Sequence, residues 1–312
     1  MELLFLVFLC LHIASTATEG EKEWCYLSQK STLSDCEEPR HWDKVNEECG
    51  KDNQSPINIV THKAEFKEDL KPFTFEGYDT KESSSWTIAN NGHTVKVSLS
   101  GSAKIGNGGL GNKYKAIEFH FHWGNELGKS PGSEHSIDGE RYAMELHIVH
   151  TKEDASTRAD DKDRLAVLAF FIQVGAENQK YGPLIEKLKD VAHKGNKTGM
   201  DALPLGSLIP PKDKLGGYYR YSGSLTTPSC NETVVWTIFK ESITLGENQV
   251  KNFWKNLYFT KDETLLMTDN FRPVQPLNGR VVYSFGVSVI QPPTKALLVV
   301  LTLMYLMRLL CP

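Results

Sequence analysis

Phe119-His120-Phe121-His122-Trp123 alternates strictly between aromatic and imidazole side chains, and Glu145-Leu146-His147-Ile148-Val149-His150 follows it beyond the turn-rich segment Gly124 to Gly139. An extended strand turns successive side chains to opposite faces, so His120 and His122 share one face while Phe119, Phe121 and Trp123 share the other. Two imidazoles at i and i+2 are able to share one ion. If the second stretch pairs beside the first, His147 adds a third nitrogen. Three neutral nitrogen ligands on a rigid sheet leave a tetrahedral zinc one open position, which separates catalytic zinc from closed structural zinc. A lone His-x-His in a strand is more often structural than a ligand pair, so the metal reading rests on the third histidine and on the motifs below.

The 312 residues, 40% of them hydrophobic, suffice for one large core. No repeat, Pro-rich linker or compositional break interrupts Trp42 to Pro276, which points to a single domain over residues 18–284. Strand-like alternation recurs at Trp86 to Ala89, Thr94 to Leu99, Ile117 to Trp123, Ala143 to His150, Ala166 to Val174, Tyr218 to Tyr221 and Thr233 to Lys240. Helical periodicity is scarce. Leu184, Ile185, Leu188, Val191 and Ala192 fall on one face of a helix expected over Pro183 to Ala192, and a second is expected over Glu247 to Leu257. Thr151 to Arg164 reads as a solvated loop. The expected fold class is therefore α+β and sheet-dominated. A formal net charge of -4 gives no electrostatic footprint for a nucleic-acid partner.

The ends of the chain speak of export. Leu3 to Ile13 is apolar but too short to span about 30 Å of hydrocarbon, and the small residues Ala14 to Ala17 follow it, so residues 1–17 read as a signal peptide. At the other end, Ala296 to Met307 is apolar and Arg308 interrupts it. With the spacer Val287 to Lys295 and small residues before it, this resembles a signal for a glycosylphosphatidylinositol (GPI) anchor, residues 285–312 being removed. Ser284 is the expected attachment site, with Gly286 and Ser288 as alternatives. Of six cysteines, Cys10 and Cys311 fall in the segments expected to be lost, leaving Cys25, Cys36, Cys49 and Cys230 with three ways to pair. Sequons at Asn196 and Asn231 agree with an extracellular glycoprotein.

The two histidine stretches occur together with Gln54-Ser55-Pro56-Ile57-Asn58-Ile59, Asn90-Asn91-Gly92-His93, Gly132-Ser133-Glu134-His135 and Ser224-Leu225-Thr226-Thr227-Pro228. In that order they resemble the alpha-class carbonic anhydrases, over about Trp42 to Pro276. Trp24-Cys25-Tyr26, Cys49 and the hydrophobic tail resemble a membrane-anchored branch of that family. The resemblance implies a large, twisted, mostly antiparallel sheet with short peripheral helices, and the pairs Cys25 to Cys36 and Cys49 to Cys230. It implies an enzyme that hydrates carbon dioxide reversibly to bicarbonate and a proton, with water as co-substrate, at the extracellular face of the plasma membrane. Whether a bicarbonate transporter partners it is not written in the sequence.

Carried over residue by residue, the resemblance makes His120, His122 and His147 the zinc ligands. Zinc lowers the pKa of its water from 15.7 to about 7, a magnitude for which carbonic anhydrase is itself the reference case. Thr226 accepts the proton of that oxygen and donates its own to Glu134. Val149, Val167, Leu225 and Trp236 line an apolar pocket for carbon dioxide, bounded also by Thr226 and Thr227. His93 exports the proton, its imidazole expected near the ordinary value of about 6.5. Glu145 orients His147, and the backbone carbonyl of Asn270 orients His122. One position departs from the family: the residue two before His120, usually Gln, is Glu118, a stronger acceptor that adds negative charge. That departure is the only foothold for the alternative reading, a carbonic anhydrase-like binding ectodomain without turnover.

Overall fold

The computed structural model describes residues 23–286 apart from 31, 34, 126–129, 155 and 263. The expected signal peptide, the tail beyond Gly286, Cys10 and Cys311 lie outside the described residues. A 12-stranded sheet organises the chain. Its order runs Lys197–Met200, Trp86–Asn90, Val95–Ser98, Tyr114–Trp123, Met144–Lys152, Leu165–Gly175, Val234–Gly246, Tyr218–Gly223, Tyr283–Phe285, Glu65–Phe66, and Phe73–Glu76 with Lys104–Asn107 forms a side branch. All pairs are antiparallel except Leu165–Gly175 with Val234–Gly246 and Tyr283–Phe285 with Glu65–Phe66.

The aromatic face of the first histidine stretch faces the larger core. Phe119, Phe121 and Trp123 are fully buried there, and the Phe253 ring lies 5.0 Å from Phe121 and 5.4 Å from Trp123. Phe253 belongs to the helix Glu247–Asn256, whose start is held by Gln249 Oε1 accepting from the Gly246 nitrogen at 2.9 Å. A second apolar cluster, including Val149, Val167, Tyr221 and Trp236, covers part of the opposite face. The site lies beside it.

Several expected boundaries move. The first histidine strand starts at Tyr114, and a bulge opposite Val149 and His150 inserts one extra residue, so Ile117 is exposed although the pattern alone would bury it. Thr151 and Lys152, expected in the loop, continue the strand because they pair with Lys115 and Tyr114. The helix expected over Pro183 to Ala192 is α-helical only over Gly182–Lys187, then tightens into a 3₁₀ turn, Leu188–Val191, that sends both Leu188 and Val191 into the core. Both expected disulfides form, Cys25 with Cys36 and Cys49 with Cys230, the second spanning 181 positions of sequence. A loop of that length is the kind whose closure stabilises most, about 5 kcal/mol in the chain-entropy account.

Candidate active site

Cross-strand register assembles the histidines. His147 lies directly opposite His120, and Glu145 directly opposite His122. Opposed residues project to the same face of a sheet, so the three imidazoles converge with ring centroids 5.1, 5.3 and 4.7 Å apart. Each ring spends one N–H on a partner. His120 Nδ1 donates to Glu118 Oε1 at 3.2 Å, His122 Nδ1 to the Asn270 carbonyl at 2.8 Å, and His147 Nε2 to Glu145 Oε1 at 2.6 Å. The remaining nitrogens, His120 Nε2, His122 Nε2 and His147 Nδ1, carry lone pairs. One nitrogen from each ring lies within 4.8 Å of the others. His122 Nε2 is buried with no hydrogen-bond partner, a cost that a cation would remove.

Electrostatics favour neutral rings. Burial, reinforced by the neighbouring histidines, drives His122 well below its ordinary pKa. Burial also pushes His147 down to about 4, although Glu145 opposes it. Neutral imidazole is the form that ligates a metal. Glu145 is buried too, which raises its pKa, but the His135 and His147 rings outweigh this and hold it well below the carboxylate range. His135 Nδ1 meets the same Glu145 oxygen at 2.7 Å, and its Nε2 meets the Tyr221 hydroxyl at 2.7 Å. The cluster of His135, Glu145 and His147 is thus a closed hydrogen-bond network with no nitrogen left over on the Glu145 side.

Glu134 lies beneath these rings, its Oε2 3.4 Å from His122 Nε2. A Cβ on Gly132 would fall 1.8 Å from the Gly124 nitrogen, so glycine is required where the turn brings Glu134 back under the strand. Burial pushes the Glu134 carboxyl up to about 8, against the Arg272 backbone N–H, which donates to Oε1 at 2.8 Å, and the Thr226 hydroxyl. Thr226 lowers that pKa by a hydrogen bond, although Oε2 completes no bond of full geometry. Thr226 is buried, and its loop is fastened where the Cys230 nitrogen donates to the Thr227 carbonyl at 2.7 Å. Val149, Val167 and Trp236 are adjacent across three strands, with Leu225 packed against them, and the Trp236 ring lies 4.8 Å from His147. Glu118, Glu134, Glu145, Trp236 and Asn270 thus stand around the three histidines.

Two neighbours escaped the sequence reading. Arg272, almost fully buried, donates to Gln54 Oε1 at 2.8 Å, the Ser55 carbonyl at 2.9 Å and the Cys49 carbonyl at 3.1 Å. It ties the Gln54-Ser55 motif and the long disulfide to the strap that holds Glu134. Lys96 Nζ sits 3.0 Å from Glu118 Oε2. Its signal was the alternation of Val95, Lys96 and Val97, which puts a lysine on the histidine face.

The residues 37–286 match the family model of eukaryotic-type carbonic anhydrases. The chain belongs to the carbonic anhydrase family. It is 43% identical to carbonic anhydrase 4 of Rattus norvegicus and 44% identical to that of Mus musculus, each match covering 90% of both chains. It is 35% identical to carbonic anhydrase 12 of Homo sapiens over 90% of this chain and 78% of that one. As a carbonic anhydrase it catalyses carbon dioxide hydration, and the non-catalytic alternative loses its foothold because Glu118 still accepts from His120 as an amide would.

His93 differs from expectation. Its ring stacks on Trp24 with centroids 3.7 Å apart and planes 13° apart, and its Nδ1 is buried without a partner. Burial and, secondarily, the Lys194 ammonium push its pKa down to about 4, below the value near 6.5 expected for a proton acceptor. Trp24 is itself braced by the Trp42 ring at 5.0 Å and by the neighbouring Cys25 to Cys36 bond. Trp24→Ala therefore exposes the ring and raises the His93 pKa from about 4 toward the free value of ~6.5, read by NMR titration of its ring protons. A His93 pKa that does not move would show that Trp24 is not what desolvates it.

Proposed function

We propose that this carbonic anhydrase is a zinc enzyme of the extracellular membrane face, with His120, His122 and His147 holding the metal. The observation that carries the zinc reading is the convergence of three lone-pair nitrogens whose other ring nitrogens are all engaged. When bound there, zinc supplies a Lewis-acidic centre that makes water nucleophilic near neutral pH. The protein does the rest. Glu118, the Asn270 carbonyl and Glu145 fix the rings. Thr226 Oγ1 accepts a hydrogen bond from the attacking water while its own proton points to Glu134, which aims an oxygen lone pair at the substrate. Carbon dioxide, uncharged and weakly hydrogen-bonding, is held by Val149, Val167, Leu225 and Trp236 beside Thr226 and Thr227.

His93 exports the proton at an imidazole nitrogen. Stacked on Trp24 it is too weak a base for this, so transfer requires the ring to leave the stack. Asn270 joins this histidine to the metal ligands, its Nδ2 donating to the His93 carbonyl at 3.0 Å while its own carbonyl serves His122.

The GPI anchor rests on the sequence of the tail, and among the described residues no helix is long and apolar enough to cross a membrane. Ser284 is buried in the strand Tyr283–Phe285, opposite Tyr219 on one side and Phe66 on the other. A chain ending there would lose Phe285, which pairs with Tyr218, the two ring centroids lying 5.5 Å apart at a tilt of 42°. Ser284 remains our proposed attachment site, with Gly286 and Ser288 as the alternatives that would keep the strand whole. Asn196 is exposed and Asn231 half-buried, which suits Asn196 better as a glycosylated site.

Three measurements test these assignments. His147→Ala loses most of its zinc at submicromolar free metal, together with stopped-flow hydration activity, whereas His150→Ala, bonded to Tyr78 and away from the site, keeps both. Full zinc occupancy in His147→Ala would refute the ligand set. His93→Ala lowers kcat in dilute buffer, recovers it in concentrated imidazole and leaves kcat/KM nearly unchanged; a kcat equal to the parent's at every buffer concentration removes His93 from proton export. Phosphatidylinositol-specific phospholipase C releases active enzyme from intact cells, and enzyme retained after verified cleavage, with peptides of Ala296 to Met307 in the mature protein, sinks the anchor.

A further inference from the structure

We infer that Lys96 is a positioning residue of the metal site, acting on His120 through Glu118 as the counter-charge that lets a carboxylate stand behind a zinc ligand without adding net charge there. Val95 and Val97 are fully buried in the core, so the strand Val95–Ser98 must turn Lys96 to the opposite face. The register then puts Lys96 directly opposite His120, and Ser98 opposite Glu118. Glu118 divides its two oxygens between these neighbours: Oε1 takes the His120 Nδ1–H at 3.2 Å, and Oε2 takes Lys96 Nζ at 3.0 Å. The three groups form one chain, ammonium to carboxylate to imidazole, whose far end is the ligating Nε2.

The side chains of Lys96 and Glu118 are 38% and 22% exposed, so the pair as an ion pair does little for stability. Its effect is felt where the dielectric is lower, at the ring. A bare carboxylate bonded to His120 would make the imidazole a stronger donor to zinc and would repel anions from the cleft. The pair cancels both while keeping a strong acceptor on the ring. Lys96 and Glu118 therefore act as one unit, and changing either alone unbalances it.

The inference rests on the zinc reading above, and the test separates the two. Lys96→Met, Lys96→Arg, Glu118→Gln and the double variant Lys96→Met with Glu118→Gln are each loaded with zinc. Two constants are read at fixed pH and salt: zinc dissociation, by competition with a chelator, and inhibition of hydration by azide. Lys96→Met tightens zinc about threefold to tenfold and weakens azide several-fold, whereas Glu118→Gln weakens zinc about tenfold and tightens azide. Lys96→Arg stays at the parent values. In the double variant the lysine has no carboxylate left to act through, so both constants stay within about twofold of those of Glu118→Gln alone, the non-additivity of a coupled pair. Urea midpoints shared by all the variants set aside a merely structural effect. If Lys96→Met changes neither constant, or changes them equally with Glu118 present and with Gln in its place, the inference is overturned. A parent enzyme that binds no zinc would instead overturn the proposed function.

Discussion

The pairing of His120 with His147 across two antiparallel strands is the constraint on which the site depends. A slip of one residue between those strands would carry His147 to the far face and leave a two-histidine site. The histidines themselves do little to prevent that slip. What prevents it is the other face, where Phe119, Phe121, Trp123, Leu146 and Ile148 are fully buried, each worth about 1.5–3 kcal/mol of burial. The same slip would turn all of them to the polar side at once. The three-histidine cluster is thus held in register by side chains that never touch it.

A second support comes from one short strap near the end of the domain. Asn270 takes His122 on its carbonyl, the Trp123 nitrogen on its Oδ1 at 2.8 Å, and gives its amide to the His93 carbonyl. Two residues later, the backbone of Arg272 steadies Glu134 while its guanidinium gathers Gln54, Ser55 and Cys49. Removing one partner from such a buried charged network typically costs several kcal/mol, because the others are left unsatisfied. The strap therefore couples the amino-terminal motif, the long disulfide and the Glu134 carboxylate into one rigid frame.

How legible this was depended on the kind of interaction. The histidine strands could be read from period-two alternation, and the second strand's place beside the first was a stated condition that the pairing meets. The disulfide partners and the role of Asn270 came only from resemblance, since a backbone carbonyl has no sequence signature. The bulge at Ile117 was invisible because alternation cannot announce the residue that breaks it. Lys96 and Trp24 were missed for another reason: alternation gives the face of Lys96 but not its partner, and the register and the stacking that matter join distant segments. The burial of Ser284 between two strands is likewise a tertiary fact that its small size does not announce.

The placement of Tyr283–Phe285 also has a mechanical side. This last strand is bonded to Tyr218–Gly223 on one flank, and on the other the carbonyls of Val282, just before it, and of Ser284, within it, accept from the Glu65 and Lys67 nitrogens at 2.9 and 3.0 Å. Were the chain tethered beyond Gly286 as proposed, a pull along that strand would load the hydrogen bonds of both flanks in parallel, as shear, and would not peel them one at a time. The histidine strand Met144–Lys152 lies three strands further in from Tyr218–Gly223. Force entering at that end would be spread over the sheet before it reached the histidine strands.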